Sequence, residues 1–511
     1  MNTDPEERPV ESRDPVTGEV WQRWIAEGEE GVGRAVESAR EAQKAWATRS
    51  VEQRARVLAN ARHLMAESRA EIVSIIQREN GKPRVEALLE VLTSAEFARY
   101  YAKIAPRSLR EKSVRPSSIA LWRKRVRVVC EPLGVIGIIT PWNYPFLLAN
   151  GLVLPALVAG NAVVLKPSEY TSASSFHLVE LLRQAGLPEN ILTVLPGAGR
   201  TGAALVRSGI DKIFFVGSEA AGRKVYAAAA EHLIPCSLEL GGSDPAIVLE
   251  DADLENAALG LTWGRFSNGA QTCVAPKRIF VVDPVFARFL DAIESRVARM
   301  TVGIDGDVGP MIRPSQRQTI ERQFQGGIDG GATIFAQATA DSGDTVFPPT
   351  VLTDVDPDSI VLKEETFGPI LPIIRVQDEE EAIRRANGTQ FGLSASIWSR
   401  DLRRARRVAR RLDVGSVTIN DSLIVPAIAN VSYGGRKSSG VGVSHGVDGL
   451  MACVNKKPII EDPFTGWPET YWHPYTKGKT EGIDSFVEFS HGRGLYRRIA
   501  AGLRAAWKLY F

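Results

Sequence analysis

Residues 134–169 read GVIGIITPWNYPFLLANGLVLPALVAGNAVVLKPSE, and the fold turns on whether the apolar part crosses a membrane or fills a protein core. The segment 147–165 is long and apolar enough to suggest a membrane span. Asn150, Pro155 and Asn161 interrupt it, and Gly160-Asn161 marks a helix stop ahead of the β-branched run AVVL. A buried helix followed by a buried parallel strand accounts for these residues. With GVIGIIT in front, the stretch reads strand, helix, strand.

The same texture continues outward. ILTVLPG, KIFFVGS and PAIVLE are further short β-branched runs, most of them separated by helix-like segments. Such alternation predicts βαβ units and a parallel sheet. Ligands of these sheets bind at the carboxyl ends of the strands, which directs attention to Trp142-Asn143, Lys166, Gly197–Gly199 and Gly217-Ser218. A second set of strands is predicted at 278–282, 369–376, 394–399 and 415–420, with helical runs at 286–300 and 377–387 between them. Cys273 lies at the front of this second α/β domain. Residues 33–104 carry helical spacing, and 123–132 alternates Arg or Lys with Val as an edge strand does.

The chain has 511 residues, too many for one hydrophobic core. A net charge of +2 creates no field that would recruit nucleic acid. Cys130, Cys236, Cys273 and Cys453 form no CxxC pair, and the six histidines lack metal-ligand spacing, so neither disulfides nor a metal site is expected. The polar, acidic N-terminus has no apolar signal region, and a reducing, cytoplasmic setting fits. After about 459 the chain is rich in Pro, Gly and aromatics. Residues 495–511 draw a helix with Tyr496, Ile499, Leu503, Trp507 and Tyr510 on one face and Arg497, Arg504 and Lys508 on the other. A basic amphipathic helix of this kind lies on a membrane surface or packs on protein, and packing is the expectation.

Three motifs carry chemistry. GAGRTG, 197–202, fits a dinucleotide fingerprint, but the next strand ends in GSEAAG rather than in an acid; Gly217-Ser218 at a helix start offers a displaced pyrophosphate cradle. In LKPSE, Lys166 and Glu169 suit ribose hydroxyls, and a carboxylate there repels a 2′-phosphate, favouring NAD over NADP. In SLELGGSDPAIV, Glu239 sits among apolar neighbours, which raise a carboxyl pKa toward that of a general base; an outward-facing strand residue fits the local pattern equally.

PWNYPF (141–146), LKPSE (165–169), FVGSEAAG (215–222), LELGGSDP (238–245), FSNGAQTC (266–273) and EETFGPI (364–370) resemble, in this order, the motifs of the aldehyde dehydrogenase superfamily. The likeness runs from SRDPVTGEV to about residue 457, with Cys273 34 residues after Glu239, as the family spaces them. It implies an atypical Rossmann domain at 1–120 and 132–241, a catalytic domain at 242–437, a β bridging and oligomerisation element at 121–131 and 438–458, and an extension at 459–511. It further implies NAD(P)-dependent oxidation of an aldehyde to an acid, with Cys273 as nucleophile, Asn143 as oxyanion donor and Glu239 as the base that activates water. Cofactor contacts would come from Ile139, Trp142, Lys166, Ser168, Glu169, Gly217, Ser218, Leu240, Glu365 and Phe367, with Gly199 near the adenine. The family usually places Ala-Gly before the Gln; here the order is Gly269-Ala270.

A CoA-acylating relative would not need Glu239, a non-catalytic member would not need Cys273, Glu239 and Asn143 together, and a cysteine hydrolase would need a His paired with Cys273. The resemblance implies a homodimer or homotetramer. WNYPFLLANGL with Trp263 and Phe266 suggests an apolar entrance, hence medium or long aliphatic, or aromatic, aldehydes. The family also makes the C-terminal helix a gate, a dimer arm or a peripheral membrane contact.

Overall fold

The computed structural model describes residues 9–340 and 343–510, so the acidic N-terminal octet, the Tyr510 side chain and Phe511 lie outside the described residues. The decisive stretch folds as strand β1 (Val135–Ile139), a helix (Pro145–Val158) and strand β2 (Ala162–Lys166). The helix is apolar all round and almost wholly buried. Asn150 in the helix and Asn161 just after it both bond backbone carbonyls inside the protein. Asn150 Nδ2 donates to the Phe146 carbonyl at 2.8 Å. Asn161 donates to the Ala156 and Cys453 carbonyls and accepts from the Gly134 N–H at 3.0 Å, tying the helix end to the start of β1. Gly160 takes a φ of +99° to make the turn. Among the described residues no helix is long and apolar enough to cross a membrane.

Three more parallel strands join this sheet, β3 (Leu192–Val194), β4 (Lys212–Val216) and β5 (Cys236–Glu239). The order runs Gly440–Val441, β5, β4, β1, β2, β3, with Gly440–Val441 antiparallel to β5. The chain leaves β1 toward β2 and β3, then returns to lay β4 on the other side. The crevice beyond the carboxyl ends of β1 and β4 is therefore the topological switch point. Helices α1 (Glu29–Thr48), α2 (Val51–Glu67), α3 (Arg69–Asn80) and α4 (Arg84–Ser108) share the core of this sheet.

A seven-stranded sheet follows, built on β6 (Asp244–Val248) and β7 (Pro276–Val282), with the strands predicted at 369–376, 394–399 and 415–420 observed as Ile370–Val376, Ser394–Trp398 and Ser416–Ile419. It has its own core. The pair Thr333–Gln337 and Thr350–Thr353 at its edge is absent from the sequence reading.

Residues 1–110 and 130–456 form one compact unit and 111–129 with 457–511 a second. These units cut the chain at other places than the expected 121–131 plus 438–458 with 459–511 apart. Residues 438–456 stay with the first unit, where Gly440 pairs with Glu239. The tail joins residues 111–129 because Lys124 bonds Asp462 and Glu469, and Arg123 donates to the Phe464 and Trp467 carbonyls. Within that unit the tail is largely helical, Lys477–His491 followed by Leu495–Tyr510. Ala501 and Ala505 are buried, and Gly482 and Gly502 let the two helices approach closely at Leu509 and Phe489. The predicted apolar face is largely exposed, with Tyr496, Ile499, Leu503 and Trp507 at 50–89%. Glycines and alanines make the crossing instead, because only small residues permit it.

The helical layer also fixes the loops around the switch point. Lys82 and Glu90, both wholly buried, pair with each other. Glu90 accepts from the Phe146 and Leu147 N–H groups at the start of the apolar helix, and Lys82 donates to the Asn143 carbonyl at 2.8 Å. Lys82→Met should leave the Glu90 charge buried beside two amides only and cost about 3–5 kcal/mol, measured by urea denaturation. Lys82→Met/Glu90→Gln should recover part of that loss.

Candidate active site

The helix Leu254–Phe266 delivers the loop that carries Cys273. Asn268, Gly269 and Ala270 then follow at φ near +60°. A Cβ on Gly269 would lie 2.9 Å from the Gly309 carbonyl, so glycine is required there. Ala270 also stands in the left-handed region, at a cost of about 1–2 kcal/mol. The Gly-Ala order thus leaves strain beside the cysteine, and the surrounding bonds hold it. Gln271 Nε2 donates to the Asn268 and Pro310 carbonyls, and its Oε1 accepts from the Ile312 N–H. Both Glu86 oxygens accept from the Asn268 N–H at 3.0 Å. Burial raises the Glu86 carboxyl to about 7.

Cys273 follows, partly buried against Val274, Leu393, Val425 and Tyr433. Desolvation pushes its thiol up to about 12, while Lys277 opposes the rise. Lys277 is buried; it donates to the Cys273 carbonyl at 2.5 Å and the Thr272 carbonyl at 3.1 Å, and pairs with Glu365 at 3.4 Å. Asn143 comes from the turn after β1 and donates from Nδ2 to the Gln271 carbonyl at 2.9 Å, which leaves its second amide hydrogen for another acceptor. Tyr144 bonds Thr272 at 2.8 Å. The asparagine and the cysteine loop are thereby held together.

Glu239 ends β5 and is buried, so it is not an outward-facing strand residue. Desolvation raises its carboxyl to about 7, and the Ser444 hydroxyl, which bonds Oε1, opposes this. Its charge is felt at Cys273 and Tyr433. His445 stacks on the Tyr433 ring at 5.5 Å, and burial lowers its imidazole to about 4. The Tyr433 hydroxyl, not a histidine, is the group near the thiol.

Ile139, Trp142, Lys166, Ser168, Glu169, Gly217, Ser218 and Leu240, all expected at the cofactor, lie at or after the carboxyl ends of parallel strands. Ile139 pairs with Lys166 across β1 and β2, and the Gly217 N–H bonds the Glu239 carbonyl. Gly217-Ser218 opens a helix (Glu219–Glu231) whose Ser218 caps Ala221. Leu240 covers Gly222 of that helix. Lys166 lies 3.9 Å from Glu169, and Ser168 accepts from the Tyr170 N–H. Gly199 begins a helix (Gly199–Arg207) and has open space at its Cβ position. The Trp142 and Phe367 rings meet edge to face at 5.6 Å. Glu365 accepts from the Gly242 N–H at 3.1 Å, and Arg265 fixes its turn through the Thr366, Gly368 and Ile370 carbonyls. Thr140 Oγ1 is buried at the end of β1 with no hydrogen-bond partner among the described residues. These groups fit a dinucleotide.

Phe266 is not at an entrance: it is packed in the second core, whereas Trp263, one turn position away, is exposed. Lys82, Glu86, Glu90, Lys277, Tyr433 and Ser444 are absent from the sequence reading. Their only local signal is a charged or polar residue in an apolar run.

The aldehyde dehydrogenase family model matches residues 2–459. The chain is 37% identical over 457 residues to 4,4′-diapolycopene aldehyde oxidase of Methylomonas sp, covering 88% of this chain and 84% of that one. It is 38% identical over 440 residues to the mitochondrial succinate-semialdehyde dehydrogenase of Arabidopsis thaliana, covering 85% and 82%. The crystal structure of an NAD-dependent aldehyde dehydrogenase from Sinorhizobium meliloti superposes with a TM-score of 0.85 at 32% identity, covering 90% and 93%. A matched family model over nearly the whole length, on this fold and around this cysteine, makes the chain a member of the aldehyde dehydrogenase family, the oxidoreductases that oxidise aldehydes with NAD or NADP.

Proposed function

We propose that the enzyme oxidises an apolar aldehyde to its carboxylic acid at Cys273, with NAD as acceptor. The observation that carries this reading is the gathering of Cys273, Asn143 and Glu239, from three separate elements, on one buried site at the switch point. Glu239 takes the thiol proton, and the sulfur adds to the aldehyde carbon while the carbonyl pair moves to oxygen. The free Asn143 amide hydrogen and the Cys273 backbone N–H stabilise that oxyanion. The carbonyl re-forms as the same carbon gives up its hydride, which a bound NAD would accept, and this leaves the Cys273 thioester. Once Glu239 has released its first proton, it takes one from water. The water oxygen adds to the Cys273 thioester, the C–S bond breaks, and the acid leaves.

Lys166 and Glu169 would hold the adenosine ribose, and the Glu169 carboxylate disfavours a 2′-phosphate. Ser168, Ile139, Trp142, Leu240 and Gly199 would line the cofactor, Gly217 and Ser218 would meet the pyrophosphate, and Glu365 and Phe367 the nicotinamide ribose and ring. Among the described residues around the nucleophile, Lys277, Arg265 and Arg278 are committed to backbone carbonyls, which disfavours a substrate bearing a second carboxylate. Trp263, Leu92, Ile424 and Ile428 are exposed apolar residues suited to an aliphatic or aromatic tail.

A homodimer or homotetramer would form through the edge strand Val454–Glu461, which is exposed over nearly its whole length. The setting is cytoplasmic, with peripheral membrane contact through Leu495–Tyr510, whose exposed face bears Leu495, Tyr496, Ile499, Leu503 and Trp507 and whose only charges are basic.

Cys273→Ala should abolish NADH formation across a panel of aliphatic and aromatic aldehydes while leaving NAD binding, read by fluorescence quenching, intact. Asn143→Ala should lower kcat by about 10²–10³. Because Glu239 must be ionised to activate water, kcat should fall as pH drops through about 7, read from a kcat–pH profile. Leu503→Glu/Trp507→Glu should remove flotation with anionic phosphatidylglycerol vesicles and leave the oligomer mass by light scattering unchanged; parent protein that fails to float refutes the contact.

A further inference from the structure

Tyr433 and Ser444 form an isolated antiparallel bridge, with the Tyr433 N–H donating to the Ser444 carbonyl at 2.9 Å and the Ser444 N–H donating back at 2.8 Å. Directly opposed residues of an antiparallel bridge project their side chains to the same face. Both side chains are buried. The Tyr433 hydroxyl lies 4.0 Å from Cys273 Sγ, a long contact within reach of the large sulfur atom, and the Ser444 hydroxyl bonds Glu239 Oε1. Two paired residues therefore touch the two groups that react.

The bridge is itself braced. The Tyr433 ring stacks on His445, and His445 meets Phe97 edge to face at 4.7 Å. Gly151 makes room for the imidazole: a Cβ there would lie 3.2 Å from Nε2. His445 holds φ at +58°, which fixes the chain direction just after Ser444.

We propose that the Tyr433–Ser444 bridge holds both reacting groups, Tyr433 donating a hydrogen bond to the Cys273 sulfur and Ser444 donating one to the Glu239 carboxylate. The inference rests on the reading of Cys273 as nucleophile and Glu239 as base. A phenolic O–H aimed at sulfur favours the thiolate over the thiol, and a seryl O–H on the carboxylate favours its ionised form. The other titratable groups facing Cys273 are Lys277, Glu365, Asp244, Glu239 and Tyr144. Those facing Glu239 include Tyr101, Tyr433 and Cys273. Replacing either hydroxyl leaves the remaining groups in place.

The test uses the full chain, with iodoacetamide and 4-nitrophenyl acetate as probes. The ester acylates sulfur directly with loss of 4-nitrophenolate, and water then releases acetate, so neither the cofactor nor the natural aldehyde is needed. Tyr433→Phe, which retains the ring stacked on His445, should slow Cys273 alkylation at pH 8 by about three- to tenfold and shift its pH profile upward. Ser444→Ala should preserve the 4-nitrophenolate burst and move the acid limb of the steady phase to higher pH. Profiles that superimpose on the parent in both variants overturn the proposal. Peptide mapping of the alkylated cysteine separates the two readings. If aldehyde turnover survives complete Cys273 alkylation, the nucleophile assignment fails. If turnover is lost with that alkylation but the variant profiles do not move, the bridge proposal alone fails.

Discussion

The buried pair of Lys82 and Glu90 is the constraint on which the site depends. Neither charge meets water, so each must be satisfied within the protein. Glu90 meets this need at the first amides of the helix that follows Asn143, and Lys82 at the Asn143 carbonyl itself. Glu86, one turn earlier on α4, takes the Asn268 N–H ahead of the cysteine. Lys82 and one edge of α4 thus set Asn143, the helix behind it and the turn before Cys273. The desolvation cost of these charges disfavours any arrangement in which one of the loops drifts away.

That arrangement also supports a strained turn. Ala270 sits where a glycine would be free of penalty, and the penalty is absorbed by Gln271 and Asn268, which bond to carbonyls on neighbouring segments. The Gly269-Ala270 order therefore puts the residue with a Cβ at a left-handed position directly before Gln271.

The parallel strands, the buried helix and the strand ends were legible in residues 134–250, because periodicity and turn residues act locally. Cys273, Asn143 and Glu239 were legible through motifs that resemble a family. Lys277, Tyr433 and Ser444 were not, because what makes them notable is a neighbour far away in sequence: Tyr433 lies 160 residues from Cys273, and Ser444 lies 205 from Glu239. The C-terminal helix misled for the opposite reason. Its amphipathic pattern says that one face avoids water, but not which surface covers it, and the close crossing at Gly482 and Gly502 fell to small residues that carry little hydropathic signal.

Burial has a further consequence for the chemistry. Desolvation holds the thiol up to about 12 and the carboxyl up to about 7, so neither anion forms cheaply in this site. Whether the sulfur stands as thiol or thiolate then turns on the groups that face it. Lys277 biases that choice toward the thiolate through its charge, yet it is anchored on two carbonyls and Glu365 and cannot follow the proton. Hydroxyl donors suit this task better than charged ones. They stabilise an anion by direction rather than by net charge.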